Sequence, residues 1–398
     1  MSSDHPSDRS LATRLVHSVR APERSRHAVV PIHRATVWTI DSQGLDDDVA
    51  GAYDDLLYPR YSNTDDPLDL GAHLADLESA ESGLVTASGM SAISASILSV
   101  VRSGGHLLAA RGLYGGTHKL ITRWLPEYGV EHDLIDASDP ASWSGCLRPD
   151  TKAIYVETIG NPLMNVADLE AVVAFARTHG MVSIIDNTFA TPLVFRPIEY
   201  GFDLVVHSAT KALNGHSDVL AGVVLGSRAR IGAIDQQLRL LGGTADPQAV
   251  YLLRRGVKTL GVRLPAQNAS ALELARRLQS HPGVASVSYP GLSSHPDHQR
   301  AKRLFGPQDA GFGHMIAIDV VGGWPAARRL LTSVKLFLHA PSLGGLESLA
   351  VSPAKSSHAA LPAEERRELG IGDGLVRLSI GIEDVEDLWD DLYQALPG

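Results

Sequence analysis

The sequence contains a single cysteine, Cys146, among its 398 residues. One thiol can form neither an intrachain disulfide nor a clustered-thiolate zinc site, so both are excluded. No apolar run approaches the roughly 18–20 residues that span a bilayer, and residues 1–10 contain no apolar segment of the kind that a secretory signal requires. These absences predict a protein of a reducing compartment without a membrane partner, and we expect it in the cytoplasm.

Positive charge is also scarce. The chain has 35 basic and 45 acidic residues, and its net charge of -10 argues against the basic face that nucleic-acid binding needs. Only 7 residues are lysines, so a lysine beside other polar groups is a candidate functional residue. With 44% hydrophobic residues, the chain can bury a large core in about two to three domains.

The predicted elements divide the chain into three parts. Residues 1–65 are polar and non-periodic, which is typical of an arm that contacts a neighbouring subunit. In 66–258, short apolar runs alternate with helical patterns, and this alternation predicts a mainly parallel α/β sheet. Residues 259–398 show a different order, which we interpret as a smaller α+β domain.

The apolar runs and periodic stretches give approximate bounds for these elements. The predicted strands of the large domain are 106–110, 153–156, 181–185, 204–206 and 222–225, and its clearest helices are 68–77, 88–101 and 167–179. In the small domain we predict strands at 284–289, 315–321, 335–339 and 375–380, and helices at 270–279, 325–331 and 385–396.

Polar residues follow several of the predicted strands. Ligands of open α/β sheets bind at the carboxyl ends of strands. Asp186 directly follows the run 181–185, and Ser208, Thr210 and Lys211 follow the run 204–206. These positions alone are compatible with a helix cap and an exposed polar loop. Together they place a carboxylate, two hydroxyls and an amine at one edge of the sheet.

A predicted helix begins at Ser88-Gly89-Met90. Backbone N–H groups at a helix N-terminus bind anions, although a serine that caps the helix explains Ser88 equally well. An anion site, nearby hydroxyls, a carboxylate and a lysine are the four features that pyridoxal phosphate needs. The pattern therefore predicts a site for this cofactor.

The sequence lacks the motifs that bind other common cofactors. The sequence has no Gly-x-Gly-x-x-Gly turn for a dinucleotide and no phosphate-binding loop that ends in Gly-Lys-Ser/Thr. The closest histidine pair, His295 and His298, lies in a predicted surface turn, and we expect no metal site.

The densest motif is Val206-His207-Ser208-Ala209-Thr210-Lys211-Ala212-Leu213-Asn214-Gly215-His216-Ser217-Asp218. With it, the chain resembles the pyridoxal-phosphate enzymes of cysteine and methionine metabolism, the trans-sulfuration group. That group includes cystathionine γ-synthase, cystathionine γ- and β-lyases, methionine γ-lyase and the O-acylhomoserine sulfhydrylases. The resemblance covers nearly the whole chain and implies the aspartate-aminotransferase-like fold, fold type I.

The resemblance also implies roles for individual residues. Lys211 would bind the cofactor as a Schiff base and move protons, and Tyr114 would stack on the ring and is a candidate acid or base. The other implied cofactor-binding residues are Asp186 at the ring nitrogen, Thr188, Ser88, Gly89, Met90, Ser208 and Thr210, and Tyr58 and Arg60 from the neighbouring subunit. The implied substrate-binding residues are Asn161, Ser342 and Arg377.

The implied reaction is γ-elimination or γ-replacement on an L-amino acid with a leaving group on Cγ, and the implied assembly is a homotetramer. The alternatives are a specialised γ-lyase that releases a non-sulfur group such as a halide, an O-acylhomoserine sulfhydrylase or methionine γ-lyase, and a non-catalytic scaffold. The chain departs from the family pattern at Gly116, where methionine γ-lyases usually carry cysteine, and at Pro341, where many cystathionine enzymes carry glutamate. It also has one extra residue near Asp65.

Overall fold

The computed structural model describes residues 9–17, 29–39, 57–306, 310–359 and 361–397. Of the predicted arm, residues 1–65, the structure describes 9–17, 29–39 and 57–65, and the others lie outside the described residues. Where the arm is described, it is not entirely irregular, because it contains helix α1 (Leu11–Val16) and a 3₁₀ turn, Pro59–Tyr61. Arg14 of α1 donates from Nε to Asp76 Oδ2 at 2.8 Å, and this contact ties the helix to the large domain.

A seven-stranded sheet forms the centre of the large domain. The strand order is β1-β7-β6-β5-β4-β2-β3, in which β7 is antiparallel to β1 and β6 and the other neighbours are parallel. The predicted α/β class with a mainly parallel sheet is confirmed. The strands are β1 (Ser82–Thr86), β2 (His106–Ala110), β3 (Glu131–Ile135), β4 (Thr151–Glu157), β5 (Val182–Asp186), β6 (Leu204–His207) and β7 (Gly222–Gly226).

Helices cover both faces of this sheet, since central strands such as β2 and β6 are buried along their whole length. Local signals set their ends: Asp168 caps α5 by accepting the Ala171 N–H at 3.2 Å, and Gly180 follows the helix in a left-handed conformation. The helices are α2 (Asp65–Leu77), α3 (Gly89–Val100), α4 (Gly115–Lys119), α5 (Leu169–Thr178), α6 (Thr191–Val194), α7 (Pro197–Tyr200), α8 (Arg228–Leu241) and α9 (Pro247–Val257).

The second sheet has five strands in the order β10-β11-β12-β9-β8. Its strands are β8 (Val284–Ser288), β9 (Met315–Val320), β10 (Leu338–His339), β11 (Leu349–Val351) and β12 (Leu375–Ser379). The accompanying helices are α10 (Leu260–Gln279), α11 (His298–Phe305), α12 (Gly323–Ser333), α13 (Ala363–Glu368) and α14 (Val385–Ala395). None of the helices that the structure describes has the length and apolar character needed to cross a bilayer.

Helix α10 contributes to two hydrophobic cores. Leu260 and Leu264 pack in the core of the large sheet, whereas Leu274 and Leu278 pack in the core of the small sheet. The helix therefore joins the two units rather than belonging to one, and the predicted domain boundaries at 65 and 258 remain a prediction.

Helix α2 packs directly on strand β1 through two glycines. A Cβ atom on Gly71 would overlap the carbonyl of Gly83. We expect Gly71→Ala to lower the free energy of unfolding by about 1–3 kcal/mol, because this backbone contact leaves no space for a methyl group. Urea unfolding followed by circular dichroism measures the change.

The matched control is Gly232→Ala in the exposed part of α8, where an added Cβ meets no atom within 4 Å. This variant should be more stable by about 0.5–1 kcal/mol, since alanine favours a helix interior over glycine. Equal stability of Gly71→Ala and the parent protein would contradict the packing argument.

Candidate active site

A cavity of about 610 Å³ lies at the carboxyl ends of β4, β5 and β6. All of the predicted site residues except Tyr58 and Arg60 line it. They are Ser88, Gly89, Met90, Tyr114, Asn161, Asp186, Thr188, Ser208, Thr210, Lys211, Ser342 and Arg377.

Lys211 projects into this cavity just after β6. Its Nζ donates to Ser342 Oγ at 2.7 Å. Burial, with a smaller contribution from the charge of Arg377, lowers the pKa of Lys211 from 10.5 to about 8. Ser342 has a φ of +96°, a conformation that non-glycine residues adopt only under constraint. The loop is thus held in a shape that presents its hydroxyl to the amine.

Asp186 ends strand β5 as a buried carboxylate. Its Oδ1 accepts the Thr188 N–H at 2.9 Å, and Oδ2 accepts the Tyr155 hydroxyl at 3.4 Å. Burial raises the pKa of Asp186, while the hydrogen bonds from Thr188 and the charge of His207 oppose that rise. A cation bound in the cavity beside Asp186 would further favour its ionised form.

The N-terminus of α3 lines the cavity. The Gly89 and Met90 N–H groups belong to the first turn, where an α-helix supplies no acceptor of its own. Ser88 accepts the Ser91 N–H at 3.1 Å, so its side chain acts as the N-cap. A Cβ on Gly89 would come within 2.8 Å of Ser208 Oγ, which shows how closely the helix approaches the loop after β6.

Thr210 lines the cavity, but its hydroxyl is already bound to the backbone. Oγ1 donates to the Ala221 carbonyl at 3.2 Å and accepts the Ala221 N–H at 3.0 Å. Thr188 is similarly engaged, because its Oγ1 accepts the Ser208 N–H at 2.8 Å. In this structure both hydroxyls hold the loop after β6 in place.

Arg377 is a cationic residue of the cavity wall. Nη1 donates to Asn161 Oδ1 at 3.1 Å, and Nη2 donates to the Ser342 carbonyl at 3.0 Å. Burial lowers the pKa of Arg377 to about 10, so the guanidinium remains charged near neutral pH. The group suits a carboxylate ligand.

Tyr58 and Arg60 lie away from the cavity of their own chain. The Arg60 guanidinium lies 5.3 Å from the centre of the Tyr58 ring and 4.8 Å from that of Tyr61. It also donates to the Arg239 carbonyl on α8. Their role at a neighbouring subunit's phosphate remains a prediction. Among the described residues, no group of histidine, cysteine or acidic side chains is arranged to hold a metal ion.

Several residues of the site were not predicted. Glu157 ends β4 and pairs in register with Asp186 on β5, so a polar residue at a strand end was the signal that could have found it. Ser356 and Ser357, together with Phe189, line the cavity from loops that carry no local motif. Only the tertiary fold brings these three residues to the site.

The comparisons with known proteins agree with this geometry. Residues 12–397 match the family described as Cys/Met metabolism PLP-dependent enzyme. The chain belongs to this family. It is 40% identical to the cystathionine gamma-lyase of Bacillus subtilis (96% of this chain, 98% of that protein). It is also 40% identical to the L-methionine gamma-lyase of Pseudomonas putida (97% of each chain).

A solved structure of an O-acetylhomoserine (thiol)-lyase from Campylobacter jejuni has a TM-score of 0.91 and 30% identity, covering 97% of this chain and 99% of its own. That structure contains N'-pyridoxyl-lysine-5'-monophosphate. The predicted fold type I, the pyridoxal-phosphate cofactor and the lyase or transferase class are therefore confirmed. The predicted γ-elimination or γ-replacement is likewise confirmed as the reaction class of this enzyme, and the scaffold alternative is not favoured.

The residues of the cavity fit pyridoxal phosphate. The helix N-terminus at Gly89, which a Cβ would block against Ser208, suits a phosphate group. The Asp186 carboxylate suits a protonated ring nitrogen, and the lowered pKa of Lys211 provides a neutral amine for an aldehyde. The fit therefore rests on three groups that line one cavity: a helix N-terminus, a carboxylate and an amine.

The pKa of Lys211 predicts how the protein captures its cofactor. Because the neutral amine is the nucleophile, the rate at which apoenzyme takes up pyridoxal phosphate should rise with pH through about 8. Stopped-flow absorbance near about 420 nm measures this rate, and Lys211→Ala should show no such band. Nα-acetyl-lysine, which keeps its ε-amine free, is the control, with a midpoint of about 10.4. A protein midpoint as high as that of the control would contradict the effect of burial.

Proposed function

We propose that the enzyme acts on L-amino acids whose leaving group on Cγ is an uncharged substituent, such as an alkylthio group, an acetoxy group or a halogen. The supporting observation is the charge on the described cavity wall. Its ionisable acidic and basic side chains are Glu157, Asp186, Lys211 and Arg377.

Each of these four groups already has an assignment or a partner. Asp186 and Lys211 serve the cofactor, and Arg377 is proposed to bind the substrate carboxylate together with Asn161. Glu157 accepts the backbone N–H of Tyr114 at 2.6 Å. The described wall therefore has no ionised side chain left for a second charged group on the substrate.

The rest of the wall is apolar or carries hydroxyls, and its members are Ile93, Ile159, Phe189, Leu220, Pro341, Leu343, Ser356 and Ser357. A small uncharged group fits such a surface. The distal amino and carboxylate groups of cystathionine would lose water there without gaining an ionic partner, and that loss is costly.

The chain's residues then have these proposed roles. Pyridoxal phosphate, when bound, supplies an aldehyde that joins amines and a cationic ring that withdraws electrons from the substrate. Gly89, Met90 and Ser208 would hold the phosphate, and Tyr114 would cover one face of the ring. Arg377 orients the substrate by its carboxylate.

Lys211 is proposed to move the protons. Its Nζ, neutral above pH of about 8, takes the proton from the substrate Cα. Ser342 Oγ, 2.7 Å from Nζ, orients the amine during this transfer. In γ-elimination the amino acid and one water give a 2-oxo acid, ammonia and the protonated leaving group. In γ-replacement a nucleophile takes the place of that group.

The substrate class is tested with purified enzyme and five substrates assayed separately. We expect kcat/KM for L-methionine, O-acetyl-L-homoserine or 4-chloro-L-2-aminobutyrate to exceed that for L,L-cystathionine and O-succinyl-L-homoserine by at least about tenfold. Release of 2-oxobutyrate measures each reaction. The substrates with an uncharged leaving group should rank first because the wall gives no ionic partner to the other two.

A variant of the wall provides the control. Pro341→Glu adds a carboxylate beside Ser342 and should raise kcat/KM for cystathionine, whereas Pro341→Gln should not. A parent enzyme that prefers cystathionine would contradict the proposal.

We further propose a cytoplasmic homotetramer in which Tyr58 and Arg60 complete the cofactor site of the neighbouring subunit. The support is that both residues are described outside their own chain's cavity, and that a single cysteine suits a reducing compartment. Light scattering should give a mass four times that of the chain.

Shared sites predict complementation between inactive variants. Arg60→Ala and Lys211→Ala should each be inactive, but a mixture after subunit exchange should recover about a quarter of the parent activity, because random pairing gives half mixed dimers with one intact site each. Activity before and after exchange measures the effect. Recovery of no activity, with exchange verified by mass, would contradict a shared site.

A further inference from the structure

Among the described residues of the cavity wall, Glu157 is the one ionisable acidic or basic group without a role in the proposed chemistry. It lies at the end of β4, and its side chain is almost wholly buried, with 7% of the residue exposed. Strand β4 is parallel to β5, and their register sets Glu157 beside Asp186. Two carboxyl groups therefore lie side by side at the edge of the sheet.

Two backbone N–H groups of the site act on Glu157. Its Oε1 accepts the Tyr114 N–H at 2.6 Å. The Asn161 N–H acts on the carboxyl group electrostatically and opposes the rise of its pKa. Tyr114 follows β2, and Glu157 ends the neighbouring strand β4, whose following loop contains Asn161. The carboxyl group therefore fixes the start of the loop after β2 beside the loop after β4.

The electrostatics of the pair favour different states for its members. Burial, followed by the negative charge of Asp186, raises the pKa of Glu157 well above its usual range. Two adjacent buried carboxylates do not both ionise readily. Hydrogen bonds from Thr188 favour the ionised form of Asp186. If Glu157 carries the proton of the pair, its carbonyl oxygen still accepts the Tyr114 N–H.

Glu157 also separates two spaces. A second cavity of about 210 Å³ lies on its other side, and Glu157 and Asn161 line both cavities. Loss of the side chain would open the wall at the point where the Tyr114 N–H is held. That N–H would then lose its acceptor in a part-buried place, which costs stability and orientation.

We propose that Glu157 is a positioning residue, whose carboxyl group holds the backbone of Tyr114 beside the loop of Asn161, so that the ring-covering and carboxylate-binding side chains keep a common geometry. The inference rests on the proposed function only for the roles of those two residues. It requires an acceptor oxygen at position 157 and not a negative charge.

The test compares Glu157→Ala with Glu157→Gln in the holoenzyme. The probe is glycine, which has no leaving group, so the titration remains readable even if the proposed substrate class is wrong. Glycine binding is followed by the visible absorbance of the cofactor. We expect Glu157→Ala to weaken binding about tenfold or more, and Glu157→Gln, which keeps an acceptor oxygen, to stay within about threefold of the parent. The visible circular dichroism of the cofactor should change in Glu157→Ala only.

Asp391→Ala is the matched structural control. Asp391 is also a buried carboxylate that accepts backbone N–H groups, from Lys335 at 2.7 Å and Leu336 at 2.8 Å, but it does not line the cavity. This variant should melt at a lower temperature and bind glycine with the parent affinity. Its result separates a loss of stability from a loss of positioning.

A second variant, Glu157→Met, tests the proposal if Glu157→Ala does not fold. Glu157→Met fills the same space without an oxygen and should show the same loss of glycine affinity. Parent-like affinity and dichroism in the alanine or methionine variant would overturn the proposal. Equal weakening in Glu157→Gln would also overturn it, since an acceptor oxygen would then not be what matters.

Discussion

Lys211 is partly buried and feels the charge of Arg377, and an amine in such a place loses its proton more readily than in water. This property is what the rest of the site depends on, because only a neutral amine attacks an aldehyde or removes a proton from carbon. The groups around Lys211 are compatible with a neutral amine. A serine hydroxyl contacts the amine, and the carboxylates lie on neighbouring strands rather than in an ion pair with it.

The architecture explains how these groups meet. Parallel strands β4, β5 and β6 end at one edge, so Glu157, Asp186 and the loop after His207 are neighbours without any long-range signal in the sequence. The remaining parts come from elsewhere: the N-terminus of α3 supplies N–H groups, and β12 of the small domain supplies Arg377. The cavity therefore lies between two units that helix α10 joins.

The elements that sequence reasoning located best were the strands buried on both faces. The bounds of β2 match the predicted run 106–110, because a short apolar run is typical of a strand that is covered on both faces. Strands β1 and β3 were not predicted. Strand β3 is Glu131–Ile135, an edge strand with a single buried residue, and its polar sequence lacks the apolar signal. Strand β1 contains only two large apolar residues, so it lacks the apolar run that marks the other strands.

The α/β class, the family motif around Lys211 and the residue types that a phosphate, a ring nitrogen and an aldehyde need could all be predicted from the sequence, since they follow from local pattern and chemistry. The folded chain was needed to see which hydroxyls are already bound, as Thr210 is to Ala221, and that Glu157 shares the sheet edge with Asp186. Burial and pairing are properties of neighbours in space. The sequence does not show burial or pairing, because both depend on which residues become neighbours when the strands pair.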